Sequence, residues 1–208
     1  MNPRRRSLVA ALALASQGAL FSPLAAFGQP RGDYVELNPP LPVESGGKIE
    51  VLELFWYGCI HCYNLEAALE GWLKKLPPDV QFRRMPAIFN NPQMALDASI
   101  FYAFEALGLL NKLHRPFFDA IHRDHLRTNN NQALAEWLQK NGVDPKKFDE
   151  TLKSFGVQSK TKRAAQLTAA YKIDGTPAIA VNGRYTVSAG DGLLDTVNAL
   201  IDASRKKK

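Results

Sequence analysis

The strongest limit on how this chain can fold is the change of period at Gly58. Lys48-Ile49-Glu50-Val51-Leu52-Glu53-Leu54-Phe55-Trp56 is apolar at six of its nine positions and reads as a largely buried strand. Beyond Gly58, the residues Leu65, Leu69, Trp72, Leu73 and Leu76 recur at helical spacing until Pro77-Pro78 stops the run. A buried strand that feeds directly into an amphipathic helix belongs to a sheet with helices packed on it. The only two cysteines of the chain, Cys59 and Cys62, stand at that handover, separated by Ile60 and His61.

The rest of the chain fits the same plan. Val80 to Met85 reads as a second strand, ended by Pro86. A helical block follows: Met94 to Leu110, Arg115 to Leu126, Asn131 to Lys140, Lys146 to Ser154 and Ser159 to Tyr171. Asp144-Pro145 reads as an N-cap with proline at the first helical position. Strand chemistry returns in Thr176 to Val181 and Arg184 to Val187, which flank Asn182-Gly183, the signal of a two-residue hairpin. Leu193 to Ser204 makes a last helix. The expected fold class is α/β, a sheet layer carrying an inserted all-helical sub-domain over about residues 91–172.

The first residues read as an export signal. Arg4, Arg5 and Arg6 form a basic start, Leu8 to Ala15 an apolar stretch, and Ala26-Phe27-Gly28 a small-residue cleavage site. Residues 1–28 are therefore expected to be removed and residues 29–208 to form the mature chain. The apolar run is interrupted well short of the ~20 residues that a membrane span needs. The formal charge of +6 over 208 residues falls to +3 on cleavage, and Arg205 with Lys206, Lys207 and Lys208 holds four of the remaining positives. The folded body is then close to −1, which gives no reason to expect a nucleic-acid partner.

An exported chain meets an oxidising compartment. A disulfide between Cys59 and Cys62 closes too small a loop to staple a fold, and 208 residues bury enough core not to need one. A zinc site needs further soft ligands, and none lies near. His122 and His125, three apart, are expected to share a helix face without a suitable carboxylate, and His114 beside Arg115 to be exposed near a helix start; no metal is expected. The remaining reading is a redox reagent. Cys59 at a helix N-terminus faces unpaired N–H groups and the positive end of the helix dipole, which lower a thiol pKa. Cys62, one turn deeper, is raised by packing. Cys59 is thus the exchanging thiol and Cys62 the resolving one, with His61 adding a donor beside the thiolate and Ile60 shaping the surface a substrate touches. Each unit of pKa depression below the working pH stabilises the reduced form by ~1.4 kcal/mol, or ~30 mV in a two-electron couple.

These residues resemble those of a known family. Val51 to Phe55, the motif Cys59-Ile60-His61-Cys62 with Tyr63 and Glu66 after it, and Gly175-Thr176-Pro177-Ala178 leading into Val181-Asn182-Gly183 are similar to bacterial DsbA, the periplasmic thiol:disulfide oxidants, over about Val35 to Ser204. The resemblance implies a thioredoxin fold with a helical insertion, no cofactor beyond the redox-active Cys59–Cys62 disulfide, and a cis Pro177 that presents the backbone of Thr176 to an extended substrate. It also implies a buried acid at Glu53 that moves the proton of the resolving thiol, with Glu66 and Arg84 as charged partners. A carboxylate within an apolar strand is costly unless paired or protonated, which agrees. The common family dipeptide is Pro-His where this chain has Ile60-His61, so the redox potential is not carried over.

The expected function is donation of the Cys59–Cys62 disulfide to dithiols of newly exported proteins in the periplasm. The resemblance further implies that a DsbB-type inner-membrane quinone reductase reoxidises the pair. A monomer is expected, because too few residues precede Lys48 for the dimerisation domain of exported isomerases. The alternatives are a disulfide isomerase or reductase, and a non-catalytic thioredoxin-fold chaperone whose binding would survive loss of Cys59.

Overall fold

The computed structural model describes residues 33–206. The export signal expected over residues 1–28 lies outside the described residues.

A five-stranded sheet in the order β1-β5-β4-β2-β3 carries the fold. Its centre is β2, Ile49–Phe55, in which all seven residues are buried. Helix α1, Ile60–Leu73, carries the chain from β2 to β3, Val80–Pro86, which runs parallel to it. A parallel return needs a crossover of about a dozen residues, and α1 with its flanks supplies it. On its other side β2 pairs antiparallel with β4, Ala178–Val181, which pairs with β5, Tyr185–Ser188. With neighbours on both sides and helices over both faces, β2 is apolar at five of its seven residues, on both faces, which is why it does not read as a simple alternation.

Two hydrophobic cores lie against this sheet. Ile49, Val51, Ile179 and Val181 pack with Val197, Leu200 and Ile201 of the last helix α7, Leu193–Lys206. Leu52, Leu54, Ala178 and Ala180 join the larger core, which includes Phe101, Phe104, Phe117 and Phe118 of the helical block. That block is five helices between β3 and β4: α2 (Pro92–Ala106), α3 (Leu110–His122), α4 (Asn131–Lys140), α5 (Pro145–Leu152) and α6 (Phe155–Ala170). Asn91, Asn130, Asp144 and Ser154 cap α2, α4, α5 and α6 through their side chains.

The elements differ from the sequence expectation in several places; the helix expected over Met94 to Leu110 ends at Ala106, and that expected from Ser159 begins at Phe155. Helix α3 starts at Leu110 and takes Pro116 into its interior, where the ring removes one N–H without ending the helix. The hairpin loop has three residues, because Val181 registers with Tyr185. Asn182 and Gly183 both have positive φ, and Arg184 N–H bonds to Val181 O at 3.0 Å, so the expected turn is present. Arg184 is the extra residue, and its carbonyl accepts from Leu37 N–H at 2.6 Å. That contact accompanies a short strand the sequence did not announce, β1, Val35–Glu36, antiparallel to β5.

Gly183 and Gly71 should respond oppositely to alanine. A Cβ on Gly183 would collide with the carbonyl of Leu41, whose N–H bonds to Gly183 O at 2.8 Å, and φ there is +64°. Gly71 is exposed in α1 with open space around it. Urea denaturation is expected to show Gly183→Ala less stable by roughly 2 kcal/mol or more. Gly71→Ala is expected to be more stable by about 0.5–1 kcal/mol.

Candidate active site

Cys59 is the N-cap residue of α1, with extended backbone (φ −88°, ψ 116°) and no side-chain cap bond. Its N–H bonds to Trp56 O at 3.0 Å and its carbonyl accepts from Tyr63 N–H at 3.1 Å, so the strand-to-helix turn is closed by backbone alone. Cys59 is half-buried and Cys62, in the first turn of α1, is fully buried; both are free thiols. The segment that leads into β4 meets them from the other side. The Thr176–Pro177 bond is cis, and Thr176 O lies 3.2 Å from Cys59 Sγ as acceptor.

The two thiols are driven apart in acidity. Cys59 is lowered to about 5 by a hydrogen bond from the Cys62 thiol, which outweighs the opposing effect of burial. The Thr176 side chain and the backbone amides of Cys62 and His61 add to the lowering. Cys62 is driven far above the ordinary thiol range by burial first, and then by its hydrogen bond to Cys59. At neutral pH the pair is one accessible thiolate over one buried thiol. Ile60, 48% exposed, and the exposed His61 stand on the rim. Beside them the Trp56 ring lies against Gly58, where a Cβ would run into it. The indole N–H is anchored by the carboxylate of Asp97 at 2.7 Å, which also accepts from Thr128 and Gln93. The helical block thereby sets the orientation of an aromatic ring two residues before the turn that holds Cys59.

A second group of ionisable side chains lies within the protein. Glu53 and Arg84 are register partners on β2 and β3 and so share a sheet face. Arg84 Nε stands 3.0 Å from Glu53 Oε2, and its Nη2 3.3 Å from both oxygens of Glu66, one turn past Cys62 on α1. Glu53 is 0% and Glu66 1% exposed, so neither acid is a surface charge. Burial raises the Glu53 carboxyl well above its ordinary range, with Arg84 opposing and Glu66 adding to the rise. Glu66 is instead held low: burial acts against it, but His114 and Arg84 prevail.

His114 is not exposed, as its neighbour Arg115 suggested, but 7% accessible. Its Nδ1 lies 2.9 Å from Tyr57 Oη and its Nε2 3.5 Å from Glu66 Oε1. The signal was present in the sequence, since His114 shares the inward stripe of α3 with Leu110, Phe117 and Phe118. His122 and His125 do not share a helix face. Helix α3 ends at His122, whose Nε2 meets Tyr57 O at 2.8 Å, and His125 follows with φ 57°. Among the described residues no group of three metal-ligating side chains occurs. Glu66 and His114 also line a cavity of about 650 Å³, together with Phe82, Met85, Tyr102 and Leu110.

Comparison with known proteins agrees with this geometry. The family model described as DSBA-like thioredoxin domain matches residues 79–202. The thiol:disulfide interchange protein DsbA of Bordetella parapertussis is 44% identical over 205 residues, covering 96% of each chain. That of Azotobacter vinelandii is 41% identical over 177 residues, covering 83% of this chain and 82% of its own. The crystal structure of Pseudomonas aeruginosa DsbA superimposes with a TM-score of 0.78 at 38% identity, covering 85% of this chain and 94% of that one.

In the reduced protein, ultraviolet thiolate absorbance is expected to titrate with a midpoint near pH 5 and to vanish in Cys59→Ser. The folded-state pKa lies below the ordinary value of 9.0, so the thiolate adds no stability below about pH 5. Its contribution grows as pH rises and is complete above 9. Denaturation of the reduced protein should show that rise, and a midpoint near 8 or 9 in the absorbance would contradict it.

Proposed function

The chain belongs to the DsbA family of thioredoxin-fold thiol:disulfide oxidoreductases, and from that premise we propose that it acts as an oxidant, passing the Cys59–Cys62 disulfide to dithiols of newly exported proteins in the periplasm. The observation that carries this reading is the asymmetry of the pair: an accessible thiol held near pKa 5 beside a buried one far above the ordinary range. Stabilising the Cys59 thiolate stabilises the reduced form, and a couple whose reduced form is favoured gives its disulfide away.

The steps follow from the same asymmetry. A substrate thiolate attacks Cys59 Sγ, the Cys59–Cys62 bond breaks, and its electron pair leaves on Cys62 sulfur. That sulfur cannot remain ionised where it is buried, so it takes a proton. Protonated Glu53 is the proposed source. The second substrate thiolate then attacks the substrate sulfur of the mixed disulfide and displaces Cys59 as thiolate, a good leaving group because of its low pKa. The substrate loses two thiol protons; Cys62 takes up the equivalent of one and solvent the other.

Arg84 and Glu66 support Glu53, and His61 lends a backbone amide to the thiolate. Ile60, Thr176 and Pro177 form the surface against which an extended substrate lies, with Trp56 at its border. A DsbB-type inner-membrane quinone reductase is the proposed electron acceptor for the reduced pair. Residues 1–28 serve as the export signal, residues 91–172 as the helical insertion of the mature chain 29–208, and the chain acts as a monomer.

The test is oxidation of a reduced, unfolded disulfide protein with glutathione disulfide as terminal oxidant. The mature chain is expected to turn over. Cys59→Ser should abolish turnover, and Cys62→Ser should accumulate a mixed disulfide on Cys59. Substrate binding that persists in Cys59→Ser while the native chain shows no oxidation would favour a non-catalytic chaperone instead.

A further inference from the structure

Two buried carboxylates, Glu53 and Glu66, share a single guanidinium, Arg84. With both ionised the group would hold an excess negative charge out of water, so one proton is retained between them, and the pair titrates as a unit. Arg84 alone does not decide which acid carries it, because it approaches both: Nε at 3.0 Å from Glu53 and Nη2 at 3.3 Å from Glu66. The asymmetry comes from the far side of Glu66, where α3 brings in His114.

The His114 ring is held on both nitrogens. Tyr57 Oη, fully buried, lies 2.9 Å from Nδ1 and has no other hydrogen-bond partner among the described residues. A buried hydroxyl that can donate only to Nδ1 makes that nitrogen the acceptor and leaves the ring proton on Nε2. Nε2 is buried, without a well-formed hydrogen bond, and 3.5 Å from Glu66 Oε1. Phe55, Phe101 and Phe118 pack around the ring and fix its plane. The charged groups facing it are Glu66 on α1, Arg84 on β3 and Arg115 on α3 itself. Burial disfavours a second ring proton, Glu66 favours it, and the two arginines again disfavour it, so the histidine stays neutral.

We infer that His114 is a positioning residue: as the Nε2–H tautomer set by Tyr57, it directs a donor at Glu66, keeps that acid ionised, and so places the shared proton on Glu53. The proton then sits on the acid of the central strand, and the helical insertion determines where the sheet keeps it. The catalytic meaning rests on the proposed role of Glu53 toward Cys62. The proton's location can be read without turnover, so the two ideas fail separately.

The test is nuclear magnetic resonance on isotopically labelled full-length mature protein. The ¹⁵N shifts of His114 report its tautomer, and the side-chain carboxyl ¹³C shifts of Glu53 and Glu66 report their protonation against pH, assigned with Glu53→Gln and Glu66→Gln. The wild type should show the Nε2–H tautomer, with Glu53 titrating above Glu66. His114→Phe keeps an aromatic ring in the cluster but removes the donor. It should lower the Glu53 midpoint and raise that of Glu66, each by about one unit. His114→Gln, which retains an amide donor, should restore much of the separation. An Nδ1–H tautomer in the wild type, or unchanged glutamate midpoints in folded His114→Phe, would overturn the inference. If His114→Phe does not fold, the wild-type tautomer and its change in Tyr57→Phe decide the matter.

Discussion

The hydrogen bonds that converge on Cys59 at the first turn of α1 are the interaction on which the rest of the molecule depends. A thiolate is stable there because the Cys62 thiol, the Thr176 side chain and the amides of His61 and Cys62 are all directed at one sulfur. These donors come from two parts of the fold, the first turn of α1 and the segment that leads into β4. The amides require the helix to begin at Cys59, the Thr176 side chain requires the chain to enter β4 beside the turn, and Cys62 can donate only because the core holds it one turn inside. The sheet order, with β4 and β3 on either side of β2, is what brings these parts together.

The helical insertion does more than cover one face of the sheet. Through Asp97 it holds the Trp56 ring beside the cysteines, through His122 it bonds to Tyr57 O, and through His114 it reaches the acid pair beneath α1. The result is two polar zones of opposite character. One is open, favours an anion and receives substrate sulfur. The other is largely buried, with two acids around one guanidinium, and it keeps a proton at a pH where a carboxyl ordinarily has none.

Much of this was legible in the sequence because it is local. The handover from β2 to α1 shows as a change of period within a dozen residues, and the position of Cys59 at a helix start already implies its acidity relative to Cys62. Asn182-Gly183 announced its turn. What was not legible depends on distant partners. Strand β1 is two residues long and exists through its pairing with β5, and the third loop residue, Arg184, is fixed by a bond from Leu37. The pairing of Glu53 with Arg84 follows from the β2–β3 register, which no local pattern specifies. His114 was misread because the adjacent charge on Arg115 suggested solvent, although the apolar stripe of α3 pointed inward. Asp97 sits in an alanine-rich helix that gave no sign of an indole above it.

The central claim is that the acidity difference between Cys59 and Cys62 makes the disulfide an oxidant despite Ile60 in the dipeptide between them. The most direct measurement is the redox equilibrium of the mature protein against glutathione at neutral pH. The account predicts that low ratios of reduced to oxidised glutathione suffice to reduce the pair, as for a strongly oxidising couple. A pair that stays oxidised until glutathione is almost wholly reduced would contradict it, and would mark the protein as a reductant.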